Sequence, residues 1–90
     1  EAGSLRAQLI ERDMKKSIHN PSYVAMIREL QRRRIQLGLT QRDVANKLGV
    51  HRTWVNKVET CERRLDFIET VDLCRLYRIK LIDLARGVRS

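Results

Sequence analysis

The sequence lacks the features that mark membrane proteins, metal proteins and enzymes. It has one proline and two cysteines, and no apolar run approaches the ~20 residues of a membrane span. Cys61 and Cys74 show no CxxC or HxxxH spacing, so we expect no metal site. The chain also has no Ser/His/Asp arrangement and no glycine-rich phosphate loop. These absences argue against an enzyme and predict that no cofactor is bound.

A secretory signal pattern is absent as well. Leu9 and Ile10 form the only apolar pair near the start, and charged residues surround them. We therefore expect a cytoplasmic protein whose cysteines stay reduced. A chain of 90 residues fits one folded domain. We expect that domain to span residues 21–90, with residues 1–20 as an N-terminal extension.

Basic residues outnumber acidic ones, and the excess is concentrated in the middle of the chain. There are 19 Lys and Arg against 11 Asp and Glu, which gives a formal net charge of +8. Residues 23–64 carry ten basic and four acidic groups, net +6, whereas each flank carries only net +1. This asymmetry favours a polyanion partner, nucleic acid first and an anionic membrane surface second. The basic residues lie among the core positions of a folded unit, which argues against the membrane.

Helical periodicity runs through the chain, and no strand pattern appears. Leu5, Leu9 and Met14 predict an amphipathic helix over residues 4–16, within the extension. Asn20 is placed to cap a helix that begins at Pro21. The helix from Pro21 is predicted to reach residue 37, before Gly38, and the next to span residues 41–48 after a Thr40 cap. A third helix is predicted over residues 51–60, after Gly49. A fourth follows Asp66, with Phe67 on its apolar face, and a fifth spans residues 81–85 before Gly87.

The chain is organised around residues 39–60. This stretch predicts two short helices hinged at Gly49, because a positive φ costs glycine little. Val55 and Val58 of the second helix are expected to face the core, and the small Ala45 would let the two helices cross closely. The opposite face of the second helix presents Arg52, Thr53 and Lys57, with Trp54 beside them. This second helix is therefore the candidate functional surface.

A series of residues in this region resembles the Cro/phage-repressor type of helix-turn-helix, often called the XRE family. The resemblance covers roughly residues 25–87 and implies an all-α, five-helix, lambda-repressor-like DNA-binding domain, to which the extension adds an N-terminal helix. The residues that carry it are Arg34-Ile35-Gln36-Leu37-Gly38-Leu39-Thr40-Gln41, Val44-Ala45, Leu48-Gly49-Val50, Val55 and Val58-Glu59.

The resemblance implies roles for named positions. The helix at residues 51–60 would enter the major groove of DNA, braced by the helix at residues 41–48. Arg34 and Glu59 match a pair that forms a partly buried salt bridge in related repressors, and are implied to be structural. Base contacts are implied for Arg52, Thr53, Trp54 and Lys57, and phosphate contacts for Gln41, His51, Thr60 and Arg63.

Four positions depart from the family pattern, one of them Leu65, which replaces the usual proline before Asp66. Trp54 stands where small residues are typical; it either stacks on a sugar or base edge or lies against a neighbouring side chain. His51 replaces the usual Ser or Thr cap, and an imidazole is expected to cap poorly; it either contacts a phosphate or is a tolerated surface residue. Cys61 replaces a common glycine, so we expect a different turn there, and its thiol is either a redox switch or without a function.

The leading hypothesis is a sequence-specific transcription regulator, a small dimeric repressor from a phage, plasmid or bacterial genome. It would read a palindromic site in double-stranded DNA, with half-sites ~34 Å apart. Its dimer contacts are expected from Leu81, Ile82 and Val88, or from Leu5 and Leu9 of the extension. The alternative is a protein-interaction module, an antitoxin or an antagonist of a partner regulator, that binds its partner through the helix at residues 5–14.

Overall fold

Five helices follow one another in the part of the chain that the computed structural model describes, residues 20–89. They are α1 (Pro21–Gln36), α2 (Gln41–Leu48), α3 (Arg52–Glu59), α4 (Phe67–Tyr77) and α5 (Leu81–Arg89). These residues contain no strand. The prediction of an all-α, five-helix domain is therefore confirmed. The helix predicted over residues 4–16, with Leu5 and Leu9, lies outside the described residues.

Local hydrogen bonds explain where the helices begin. The Asn20 side chain accepts the Ser22 N–H at 2.8 Å, and Pro21 occupies the first turn of α1, where no N–H is required. Thr40 and Asp66 each form a capping box with the residue three positions later, so α2 and α4 start with two satisfied N–H groups. The caps fix these helix starts without any long-range contact.

Glycine fixes two of the turns but does not end the last helix. Gly38 and Gly49 adopt left-handed conformations, with φ of +74° and +70°, and α1 and α2 stop there as predicted. Gly87, which was expected to end the last helix, lies inside α5, which continues to Arg89. That prediction is wrong because glycine permits a left-handed turn but does not require one.

The core is built around α1, which packs against α3, α4 and α5, while α2 packs mainly against α3. α4 turns Leu73, Cys74 and Tyr77 into this core. Phe67 shares their face by its spacing, but its side chain is 65% exposed. The predicted burial of Phe67 is wrong, because helical spacing alone does not show whether another helix covers a given position. The core residues are Ile27, Leu30, Val44, Ala45, Val55, Val58, Leu65, Leu73, Cys74, Tyr77 and Leu84.

Within residues 20–89, no helix is both long enough and apolar enough to cross a bilayer.

Candidate nucleic-acid interface

The unit of α2, Gly49 and α3 holds one helix against another at a fixed angle. The turn is closed by the Val50 N–H, which donates to the Ala45 carbonyl at 3.0 Å. Ala45 is only 2% exposed, and its small side chain lets the two helices approach closely. Val55 anchors α3 in the core. One face of α3 is therefore committed to packing, and the opposite face is left to the solvent.

The outward face of α3 carries the polar side chains singled out in the sequence. Arg52, Thr53 and Lys57 are all exposed, whereas Val55 and Val58 are buried. Thr53 and Lys57 lie one helical turn apart and so project on the same side. The structure thus brings three polar side chains together on one exposed helix face, as a groove-binding helix requires.

His51 caps α3 through its imidazole ring. Nδ1 accepts the Thr53 N–H at 3.1 Å, so the expectation that an imidazole would cap poorly is not met by the geometry. In a neutral imidazole whose Nδ1 accepts a hydrogen bond, Nε2 carries the hydrogen. His51 is exposed. It therefore combines an internal acceptor for the helix start with an outward N–H donor.

A shared carboxylate ties α1 and α2 to the end of α3. Arg34 donates to Glu59 through Nε at 2.7 Å and through Nη2 at 3.0 Å. Gln41 Nε2 donates to the same carboxylate at 3.0 Å. Arg34 Nη1 also donates to the Leu39 carbonyl at 2.7 Å, next to the start of α2. Three helices are thereby held by one ionic group, and the Gln41 side chain is oriented at the start of α2.

Thr60 uses its hydroxyl group within the protein. Oγ1 donates to Glu62 Oε2 at 2.6 Å and lies 3.0 Å from the Asn56 carbonyl. A hydroxyl has only one hydrogen to donate. A phosphate contact by Thr60 would therefore have to replace one of these bonds.

Trp54 lies against neighbouring side chains in the structure. Its ring is half-buried and packs against the core. The Arg63 guanidinium lies over it, with Cζ 5.1 Å from the ring centroid. The ring lies against its neighbours in the protein and does not join Arg52, Thr53 and Lys57 on the exposed face.

Arg63 is joined to α4 by a bidentate ion pair. Its Nη1 and Nη2 donate to the two oxygens of Glu69, each at 3.0 Å. The hydrogen bond from Arg63 holds the pKa of Glu69 below its usual range, and the same bond raises the pKa of Arg63. The guanidinium that was expected to meet a phosphate is thus already engaged by a ring and a carboxylate.

Comparison with known proteins agrees with this arrangement. Residues 25–86 match the model of a helix-turn-helix domain. The fold is similar to a solved structure, an XRE-family like protein from Pseudomonas syringae pv. tomato str. DC3000, with a TM-score of 0.74 and 36% identity over 86% of this chain and 94% of that chain. The chain belongs to the XRE-like helix-turn-helix family. No curated protein sequence matched it.

Family membership gives the general function of this XRE-like chain. It is a DNA-binding regulator of the helix-turn-helix kind. α2 and α3 are the two helices of the motif, and α3 stands second, at the position called the recognition helix. Among residues 20–89, no group of three or more His, Cys, Asp or Glu is placed to hold a metal ion.

The loop that follows the recognition helix contains contacts that the sequence did not reveal. Tyr23 Oη accepts the Leu65 N–H at 2.9 Å, from a position 42 residues earlier in the chain. Glu69 belongs to the capping box of α4 and also pairs with Arg63. Cys61 adopts φ +60°, the left-handed conformation that favours glycine, so the expected departure from a glycine turn is not seen. No signal in a single sequence identifies long-range pairs such as Tyr23 and Leu65.

Proposed function

We propose that this protein is a sequence-specific transcription repressor that acts in the cytoplasm and binds a palindromic operator as a homodimer. The recognition helix α3 enters the major groove with Arg52, Thr53 and Lys57 toward the base edges. The observation that carries the proposal is that these side chains are exposed on one face of a helix whose other face is buried. A major groove admits one such helix.

Each of the three side chains matches a chemical feature of the groove. Arg52 can donate two parallel hydrogen bonds to guanine O6 and N7, and Lys57 can donate to the same acceptors. Thr53 offers a methyl group to the methyl of thymine. One bidentate contact of this kind discriminates against a wrong base by ~1–3 kcal/mol. Three adjacent contacts would give a short but selective half-site.

Phosphate contacts on either side of the groove would set the register of α3. The N–H groups of Gln41 and Arg42 have no partner within α2 and would face an anion there, whereas the Asp43 N–H is bonded to Thr40 Oγ1. The exposed His51 supplies a further donor through Nε2, and Thr60 supplies one if its hydroxyl leaves Glu62. Such contacts orient the protein but carry no sequence information.

The dimer contact is proposed to lie on α5. Leu81 and Ile82 at its start are 38% and 55% exposed, which leaves an apolar surface open on this helix. Val88 belongs to the same helix. In a two-fold dimer bound to a palindromic site, the two α3 helices would lie in successive major grooves, ~34 Å apart. The operator would then have the symmetry of the protein.

Selection of bound duplexes from a random pool tests the proposal. We expect a palindromic consensus with half-sites one helical turn apart. The variant Arg52→Ala/Lys57→Ala should lose the preference for the selected duplex over a random one. The control Arg28→Ala/Lys80→Ala removes the same charge from exposed positions outside α2 and α3 and should keep that preference. An unchanged preference in the first variant would remove Arg52 and Lys57 from the base contacts.

A further inference from the structure

Trp54, Arg63 and Glu69 connect three separate segments of the chain. Trp54 belongs to the recognition helix, Arg63 to the loop after it, and Glu69 to the first turn of α4. The Arg63 guanidinium lies between the other two, 5.1 Å from the ring centroid and hydrogen-bonded at 3.0 Å to both carboxylate oxygens. Any tilt of α3 relative to α4 must therefore disturb this contact.

The Glu69 carboxylate is held in place by hydrogen bonds at the start of α4. Glu69 Oε1 also accepts the Asp66 N–H at 3.0 Å, and Asp66 in turn accepts the Glu69 N–H at 2.7 Å. This reciprocal capping box fixes the Glu69 side chain to the helix start. Arg63 is thereby attached to the body of the domain and not to a freely moving side chain.

Trp54 borders an open groove. Besides its contacts with the core, it lines a groove of about 100 Å³ together with Leu48, Val50, Glu69 and Asp72. Core packing alone therefore leaves space beside the ring. The guanidinium over the ring restrains it, and a cation–π contact of this kind is favourable where the cation is partly withdrawn from water.

The same geometry argues against a phosphate contact by Arg63. Its positive charge is already paired with Glu69, and its Nη1 lies 3.3 Å from the Arg64 carbonyl as well. A phosphate drawn to this guanidinium would approach the Glu69 carboxylate, and like charges repel. Arg63 is better placed to hold protein groups together than to hold DNA.

We propose that Trp54, Arg63 and Glu69 form a clamp that sets the orientation of the recognition helix and so determines which DNA sequence it prefers. The proposal rests on the proposed function. Trp54 directly follows Thr53 and lies one turn before Lys57, so a tilt of α3 that accompanies a shift of the ring moves both side chains. Arg63 and Glu69 are positioning residues, which act on DNA through α3 without touching it.

The variant Glu69→Gln separates the clamp from a phosphate role for Arg63. Glutamine also serves at this position of a capping box, so the start of α4 is kept while the charged bidentate pair is lost. The clamp predicts that the preference for the selected duplex over a random one falls about tenfold, the loss of about one base contact. A phosphate role predicts the opposite, because Glu69→Gln would release Arg63 and remove a repulsive charge, and both duplexes would bind more tightly.

Salt dependence gives a second distinction. Loss of one phosphate contact lowers the slope of log K against log [salt] by about one. The clamp predicts that Arg63→Ala leaves this slope unchanged for a random duplex while the preference for the selected duplex falls. A slope reduced by about one in Arg63→Ala would overturn the proposal.

Fluorescence reports the clamp without DNA, because Trp54 is the single tryptophan of the chain. Arg63→Ala and Glu69→Gln should both increase the quenching of its fluorescence by acrylamide. The control Glu29→Gln removes the same charge from the exposed pair with Arg32 and should leave quenching and DNA preference unchanged. Unchanged quenching in the two clamp variants would overturn the clamp. Wild-type protein that shows no preference for any duplex would instead overturn the proposed function.

Discussion

Arg34 of α1 and Glu59 of α3 form a buried ion pair, with only 10% and 6% of their side chains exposed. It is the polar contact that joins the recognition helix to the centre of the core. Removing one partner of such a pair leaves a charge without compensation in a poorly solvated place, which costs more than the pair contributes when intact.

Arg34→Met should therefore destabilise the protein by about 3–5 kcal/mol in urea unfolding. The double variant Arg34→Met/Glu59→Leu should recover much of this loss, because no unpaired charge remains. The matched control is Arg32→Met, which breaks the exposed pair with Glu29, where the side chains are 60% and 40% exposed. Its cost should stay below about 1 kcal/mol. Equal effects of the two single variants would contradict the assignment of a structural role to Arg34.

His51 should contribute to stability as a helix cap. His51→Ala removes the Nδ1 acceptor of the Thr53 N–H and should cost about 1 kcal/mol in thermal or urea unfolding. His51→Ser, which restores an acceptor, should be at least as stable as the wild type. Arg52→Ala at the next, exposed position is the control and should change stability by less than about 0.5 kcal/mol. A His51→Ala protein as stable as wild type would mean that the imidazole does not cap α3 in solution.

Two glycines should respond in opposite directions to the same substitution. A Cβ added at Gly49 or at Gly87 meets no atom within 4 Å, so only the backbone decides the outcome. Gly49 has φ +70°, and Gly49→Ala should cost about 1–2 kcal/mol because L-residues disfavour this region. Gly87 lies within α5, and Gly87→Ala should stabilise the protein by about 0.5–1 kcal/mol. Unfolding curves of the two variants measure both effects, and a gain in the first would contradict the left-handed turn.

The features that could be predicted from the sequence are those set by neighbouring residues. Thr40 and Gly49 act within one helical turn, so the bounds of α2 followed from their positions alone. Gly87 could not be assigned in this way, because a glycine ends a helix only where the chain must turn. Whether Gly87 ends α5 depends on how the chain continues there, which a local sequence pattern does not show.

In the candidate site too, features set by neighbouring residues could be predicted and long-range contacts could not. Arg52 and Lys57 were placed outward by helical spacing, since Val55 had to face the core. The position of Trp54 depended on Arg63, which lies nine residues later in a loop, and on Glu69 in the next helix. Periodicity describes one element at a time and cannot specify a contact among three. The resemblance to the family did not identify this contact either, since it suggested a phosphate for Arg63.

Tyr77 should make the stability of the protein fall in alkaline solution. It is 2% exposed, and burial first, then the nearby Glu59 carboxylate, raise the pKa of its hydroxyl above the ordinary value. The folded protein therefore holds this proton more tightly than the unfolded chain does. The stabilisation is complete below the pKa of an unfolded tyrosine, about 10, and is lost as the pH rises from there toward the folded-state pKa. Urea unfolding from about pH 8 to about pH 11 should show a decline of at most about 1.4 kcal/mol per pH unit from this group, and Tyr77→Phe should show a shallower decline. Parallel declines in the two proteins would assign the alkaline loss to other groups.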